Sequence, residues 1–300
     1  MKTVLSTLVA PHQTSEFFDS FENDKPFYVH NLSVSINEIT DLQMLGSIES
    51  LLSNWSLPIK AHLPDVRDEA SSININAQDA LKVFENGMGL HFNHAEKLSP
   101  VLDQWLKQLR IDLGLSALTN SRCMLYATPA GGGTAAHFDQ NINIVMQLTG
   151  EKTWWISDNE HVINPMTRHT IGLPCDPELE SYINAPMPDS MPENKKEIVM
   201  KAGSLLFVPR GSWHMTSAKT SALSLNFTFT APTWIDLLTS ALRGRLAQSS
   251  QWRETAIGFN DELNYQIAEN KLNYLLNDLK EDLPSWRARD ILNATECEPF

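Results

Sequence analysis

Two residues with metal-binding side chains, His137 and Asp139, flank Phe138 in the stretch GGGTAAHFDQNINIVMQLTGEKTWW. Alternate side chains of a β-strand project to one face. On a strand, the imidazole and the carboxylate therefore point together and Phe138 points away. A neutral imidazole with a carboxylate begins a 2-His-1-carboxylate site, the arrangement that suits non-haem Fe(II). The second histidine must come from elsewhere. His214, in VPRGSWHMTS, is the best placed, just after a strand-like run and a Pro-Arg-Gly turn. An isolated HxD tripeptide is more often a hydrogen-bonded pair than a ligand set, and the residues around it reverse those odds.

Lys152 is the first of these. It follows the Thr149-Gly150 turn, so it re-enters on the adjacent antiparallel strand. A lysine pointing into a barrel is costly unless paired. A dicarboxylic acid such as 2-oxoglutarate would pair with it while its keto acid end chelates iron. Asn143 shares strand parity with Asp139 and so faces the same side. Thr134 and Asn226 are further polar candidates. Asn226 stands among Leu225, Phe227 and Phe229, where its amide needs a partner. Trp154, Trp155 and Trp213 could line the barrel but read first as core packing. His91 and His94, in HFNH, have a spacing that suits a helix face but lack a third ligand, and are expected to be structural or at the surface. His161 and His169 are expected to be solvated in a loop-rich insert, and Lys201 and Arg210 to be surface residues near turns.

The elements that must position these groups follow from periodicity. From Arg122 the period is two: CMLYAT, the loop PAGGG, the long strand HFDQNINIVMQL, the turn TGEK and the strand TWWIS. A polar, proline-rich insert spans 158–194. Strands return in EIVMKAGSLLFVPRGSWHM and SALSLNFTFT. Short strands separated by turns indicate a small antiparallel barrel or jelly roll, in which inward side chains converge. Before the barrel, residues 14–23 read as an amphipathic helix, FYVHNL as a strand, and 36–54 as a helix capped by Ser33 or Ser35. Residues 77–85 read as a helix ended by Gly87 and Gly89. Another helix starts near Ser99, with Pro100 in its first turn and a buried stripe of Leu102, Trp105, Leu106, Leu109 and Leu113. After Pro232 the pattern is helical. The expected fold class is α+β. A region 1–119 packs on a barrel core, 120–231, and a helical region, 232–300, follows.

Composition excludes several classes. The 300 residues carry a formal charge of −13, which disfavours nucleic acid as a partner. No run of 18 apolar residues is present, so no membrane partner is expected. The start, MKTVLSTLVAPHQ, has too short and broken an apolar stretch for a secretory signal, and a cytoplasmic location is expected. The three cysteines, Cys123, Cys175 and Cys297, form no CxxC pair, which argues against a disulfide framework or zinc ribbon. Cys123 reads as a buried small hydrophobe.

The segment GGGTAAHFDQNINIVMQLTGEKTWWI resembles the core of the JmjC family, the cupin-like Fe(II)/2-oxoglutarate dioxygenases. It looks closest to the family's protein hydroxylases: the ribosomal-protein type, with a Gly-rich loop before HxD, and the asparaginyl type, with T-x-x-H-x-D, then Asn, then Lys. The resemblance covers about residues 120–230. It implies a double-stranded β-helix (jelly-roll, cupin-like barrel) with flanking N-terminal and C-terminal helices. It implies His137, Asp139 and His214 as the iron triad and Lys152 as the residue for the distal carboxylate of 2-oxoglutarate. Thr134 and Asn143 match cosubstrate-contacting positions of the asparaginyl type, Asn226 resembles a family position on the strand after the distal histidine, and Tyr126 more loosely matches a hydroxyl on the preceding strand; all four are expected at the cosubstrate. It further implies O2 as second cosubstrate, a protein or peptide substrate, and a homodimer through the C-terminal helices. The chain stops at Phe300, short of the winged-helix domain of many ribosomal-protein hydroxylases, so a ribosomal substrate is left open. Competing expectations are the same chemistry on a small molecule, lysine demethylation, a cupin-type isomerase, and a non-catalytic metal-binding scaffold or sensor.

Overall fold

From Asn120 to Thr230 nearly every strand hides one or both faces, and the side chains say which face meets what. In β13 (Ala222–Thr230) almost all side chains are buried. Leu223, Leu225, Phe227 and Phe229 enter the main apolar core, while Ser224, Asn226 and Thr228, of the opposite parity, turn to the other face. The computed structural model describes residues 3–32, 36–62 and 71–296. The expected caps Ser33 and Ser35, and Cys297, lie outside the described residues.

The remaining strands are β1 (Phe27–Val29), β2 (Ile59–His62), β3 (Ser72–Ile75), β4 (Gly89–Asn93), β5 (Asn120–Thr128), β6 (Gly133–Phe138), β7 (Ile142–Thr149), β8 (Glu151–Ser157), β9 (His169–Thr170), β10 (Lys196–Lys201), β11 (Ser204–Val208) and β12 (Trp213–Ala218). They form two antiparallel sheets. One has the order β1-β11-β7-β13-β5-β4-β2-β3, the other β10-β8-β12-β6-β9. From β5 to β8, and again from β10 to β13, consecutive strands alternate between the sheets. Two glycines allow the close approaches this needs. A Cβ on Gly133 would lie 1.9 Å from the carbonyl oxygen of Thr216, where β12 shifts register against β6. Gly150, at φ +74°, makes the β7–β8 turn, and a Cβ there would lie 2.1 Å from the carbonyl oxygen of Ser221.

The outer face of the larger sheet is covered by the N-terminal helices. Helix Pro100–Asp112 starts at Ser99, whose side chain accepts from Leu102 N–H, and carries proline at its first position. Its Leu102, Trp105, Leu106 and Leu109 join Leu5, Leu8, Phe17 and Leu51 against Leu125, Leu225 and Phe227. Fully burying each leucine or phenylalanine contributes roughly 1.5–3 kcal/mol. The expected single helix over 36–54 is broken into Asn37–Thr40, a 3-10 turn at Gln43–Leu45, and Ile48–Ser53. Ser47 caps the last piece by accepting from Ser50 N–H, so the chain restarts a helix after Gly46 where periodicity alone suggested continuity.

Met1–Leu115 with Thr119–Ala231 forms one compact unit, and Ser116–Leu118 with Pro232–Phe300 another. The second unit contains helices Trp234–Leu246, Glu262–Asp282 and Ala288–Glu296. Arg245 donates to both carboxylate oxygens of Asp282, which also accepts from Trp286. These bonds hold the Asp282 carboxyl well below the usual range. Among this unit's described residues Leu275 alone belongs to the buried apolar set, while Trp234, Ile235, Leu238, Phe259, Leu263 and Ile267 are exposed. No described helix is long and apolar enough to cross a membrane.

Candidate metal centre and cosubstrate cavity

His137 is the last residue but one of β6 and His214 the second of β12, and the two are direct cross-strand partners. Their rings lie 4.1 Å apart between centroids. Asp139 follows β6, and its backbone oxygen accepts from Gly211 N–H at 2.8 Å, which ties the HxD segment to the turn before His214. Asp139 Oδ2 lies 3.8 Å from His137 Nε2 and 3.7 Å from His214 Nε2. Both histidines are buried. Phe138 points the other way, into a small cluster with Val162, Leu179 and Trp213.

The tautomers fit a metal. His137 Nδ1 bonds the carbonyl of Ala135 at 2.7 Å, and His214 Nδ1 that of Ser212 at 2.9 Å. A carbonyl only accepts, so each Nδ1 carries a proton, and Nε2, on the side of Asp139, is the ring atom left to meet a metal. Both distances to Asp139 are below twice an ordinary metal–ligand bond of about 2.1 Å, and the three ligand atoms lie within 4.8 Å of one another, a grouping that could hold a metal ion. The other oxygen of Asp139, Oδ1, faces Arg168 Nε at 3.6 Å.

A cavity of about 210 Å³ opens from this cluster between the sheets. Its lining includes Lys152, Thr134, Asn143, Asn226 and Tyr126, so all of the sequence-derived site residues come together. Lys152 is 4% exposed, donates to Thr128 Oγ1 at 3.2 Å, and lies beside the rings of Tyr126 and Trp154. In the β8–β12 register His214 faces Ile156, Thr216 faces Trp154, and Ala218 faces Lys152. The lysine therefore enters at the end of the cavity away from the cluster. Thr134 shares a hydroxyl contact with Thr216 at 3.0 Å. Asn143 Oδ1 accepts from Thr228 at 2.7 Å. Asn226 is buried on the cavity wall, and its Oδ1 has no hydrogen-bond partner among the described residues, as suits a position that meets a bound molecule.

The remaining histidines, tryptophans and Arg210 fall as follows. His91 lies on β4 rather than on a helix face. It is buried, stacks on Tyr126 at 4.4 Å, and lines the cavity. His94 is at φ +66° and bonds Glu96. His169 is not solvated. It pairs with Phe138 in β9, and burial pushes its imidazole below the ordinary value. Of the tryptophans, Trp213 is fully buried in core as expected. Trp154 lines the cavity beside His214, and Trp155 reaches Glu197. Arg210 donates to the carbonyls of Asn164 and Pro165. Arg122, Lys60, Thr128 and Arg168 were not singled out from the sequence. Arg122 and Thr128 share strand parity with Tyr126 on β5, which is a readable signal. Arg168 lies in an aperiodic loop and gives none.

A profile of the JmjC domain matches residues 101–237. The chain is 30% identical to the uncharacterised protein YxbC of Bacillus subtilis over 94% of this chain and 87% of that one. It is 30% identical to ribosomal oxygenase 1 of Danio rerio, over 52% of this chain, and spans about a quarter (26%) of that longer relative. Among solved structures it is similar to the Escherichia coli ribosomal oxygenase YcfD in complex with cobalt and succinic acid, with TM-score 0.51, 16% identity, and coverage of 90% of this chain and 67% of that one. That likeness reaches the fold. The YxbC match runs almost from end to end of both chains, and the domain profile spans His137, Asp139 and His214; on these grounds the chain belongs to the JmjC family.

Proposed function

We propose that the protein is an Fe(II)- and 2-oxoglutarate-dependent dioxygenase that hydroxylates a side chain of a protein or peptide. The observation that carries this reading is the pairing, in one cavity, of the His137–Asp139–His214 cluster with the buried amine of Lys152. His137 and His214 would hold iron through Nε2, and Asp139 through its carboxylate. Bound iron, with 2-oxoglutarate and O2, supplies the oxidising chemistry, and succinate and CO2 are co-products. Lys152 receives the distal carboxylate by a charge-assisted bond, and Thr128 fixes the direction of its amine. Tyr126, Thr134, Asn143 and Asn226 line the space between and orient the diacid. Arg168 steadies the carboxylate of Asp139.

The alternation of strands between the two sheets supports a double-stranded β-helix over 120–231, with 1–119 packed on it and 232–300 a helical region. The exposed apolar residues of that region support a homodimer through its helices. Light scattering on the purified chain is expected to give twice the monomer mass, and Trp234→Glu with Leu238→Glu to give the monomer. Relatives named ribosomal oxygenases support a protein substrate, and a cytoplasmic location belongs to the same proposal.

The test is iron-dependent conversion of 2-oxoglutarate to succinate. It is joined to mass spectrometry of lysate proteins incubated with the enzyme, searching for 2-oxoglutarate-dependent gains of one oxygen atom. Iron-dependent binding of 2-oxoglutarate is expected in the wild type. Its absence would leave the metal-binding scaffold in place of the enzyme.

A further inference from the structure

The cavity that holds the cluster is cationic, in a chain whose net charge is −13. Lys60, Arg122 and Lys152 line it, and Asp139 is its sole carboxylate among the described residues. Lys152 bonds Thr128, near one end of β5, and Arg122 lies near the other. Six residues of strand at about 3.3 Å each place their Cα atoms roughly 20 Å apart. The two cations therefore enter the cavity from opposite ends of β5, and a five-carbon diacid held by Lys152 leaves Arg122 for a different group.

The surroundings of Arg122 say which group. Its Nε is buried with no hydrogen-bond partner among the described residues. A guanidinium with an open edge matches a carboxylate in a two-bond fork. Asn141 stands at the same end of the cavity, and its Oδ1 already accepts from Thr230 at 2.6 Å, which leaves the amide N–H groups to donate. Lys60 is an exposed cation on the lining. An arginine or lysine substrate side chain would meet like charge here and, apart from Asp139, no carboxylate to receive it.

We propose that the metal end of the cavity takes a substrate bearing a carboxylate next to the reacting carbon, held by Arg122 with Lys60 and Asn141. This rests on the oxygenase reading and names its substrate class. The carboxylate belongs to an aspartyl or glutamyl side chain of a polypeptide or to a free small acid, and the chemistry recognised is the same.

The test measures binding of acetylated, amidated pentapeptides that differ at the central residue, Asp, Glu, Asn, Lys or Arg. The full chain is supplied with Fe(II) and 2-oxoglutarate without oxygen. Asp or Glu peptides are expected to bind at least tenfold tighter than Lys or Arg peptides, with the margin shrinking as salt rises. Arg122→Ala is expected to remove most of that margin and Arg122→Lys to keep part of it, with a thermal melt reporting whether each variant is folded. N-acetyl-aspartate amide, binding as tightly as the peptides, would assign the carboxylate to a small acid; weaker binding would assign it to a polypeptide. Equal affinities across the panel, no binding, a preference for Lys or Arg, or a margin that survives in folded Arg122→Ala would each overturn the proposal. Failure of the oxygenase reading looks different: 2-oxoglutarate would not bind with iron, whatever the peptides did.

Discussion

At one end of the cavity two imidazoles and a carboxylate are fixed by backbone. Each Nδ1 is bonded to a carbonyl two residues earlier in its own chain segment, and Asp139 is anchored through Gly211. At the other end a single amine sits on a four-carbon stem, steered by one hydroxyl and two rings. The first end is preorganised and tolerates little displacement. The second is adjustable, since lysine carries rotatable bonds and a compact charge. A metal demands fixed ligand geometry, while a diacid needs only an opposite charge at the right depth. The difference predicts that substitutions at the metal end abolish function and those at the lysine end grade it.

The sharpest way to break that comparison is Asp139→Ala. Removing one of the three proposed ligands, and its negative charge, is expected to reduce succinate formation below detection and to lower iron affinity at least tenfold. Turnover retained in this variant would remove Asp139 from the ligand set. Lys152→Ala comes next. The loss of a charge-assisted bond, about 1.5–3 kcal/mol, is expected to weaken 2-oxoglutarate binding roughly 10- to 100-fold and to leave metal binding near the wild-type value. Unchanged 2-oxoglutarate affinity would show that the diacid lies elsewhere.

Gly133→Ala probes the fixed end through its backbone. The added methyl would lie 1.9 Å from the Thr216 carbonyl oxygen, in the stretch where β12 passes β6 four residues before His137. Overpacking of this kind costs about 1–3 kcal/mol. At about 2–4 °C per kcal/mol for a unit of this size, a melting point lower by several degrees is expected, with weaker iron binding measured by titration. A variant with the wild-type melt and metal affinity would mean that the two strands can part without consequence.

The sequence made the fixed end more legible than the cavity as a whole. Period two placed His137 and Asp139 on one face and Phe138 on the other, and parity placed Asn143 beside them. Lys152 was readable because a tight turn leaves few places for the next strand to go. The wall formed by His91 and Lys60 was not readable. β2 and β4 are short, and they reach the cavity by pairing with one another and with β5, across sequence separations that no local period records. Arg168 reaches Asp139 from a loop, where nothing in the spacing constrains direction. His169 looked solvated because its surroundings are polar in sequence, yet two residues of pairing with β6 suffice to bury it.

Thr128→Val is the finest test of the adjustable end. The substitution keeps shape and β-branching and removes the hydroxyl that accepts from Lys152 at 3.2 Å. If the amine is held by that bond, its loss costs about 0.5–1.5 kcal/mol, or a two- to tenfold fall in 2-oxoglutarate affinity. If the lysine stem simply re-aims, the rings of Tyr126 and Trp154, each within 6 Å of the amine, keep it in place and the fall stays at the lower edge of that range. Calorimetric titration of the variant, together with Tyr126→Leu, separates the two. A loss in the double variant equal to the sum of the single losses says that hydroxyl and ring act independently. A larger loss says that each substitutes for the other, which is the behaviour expected of an end that adapts to its ligand.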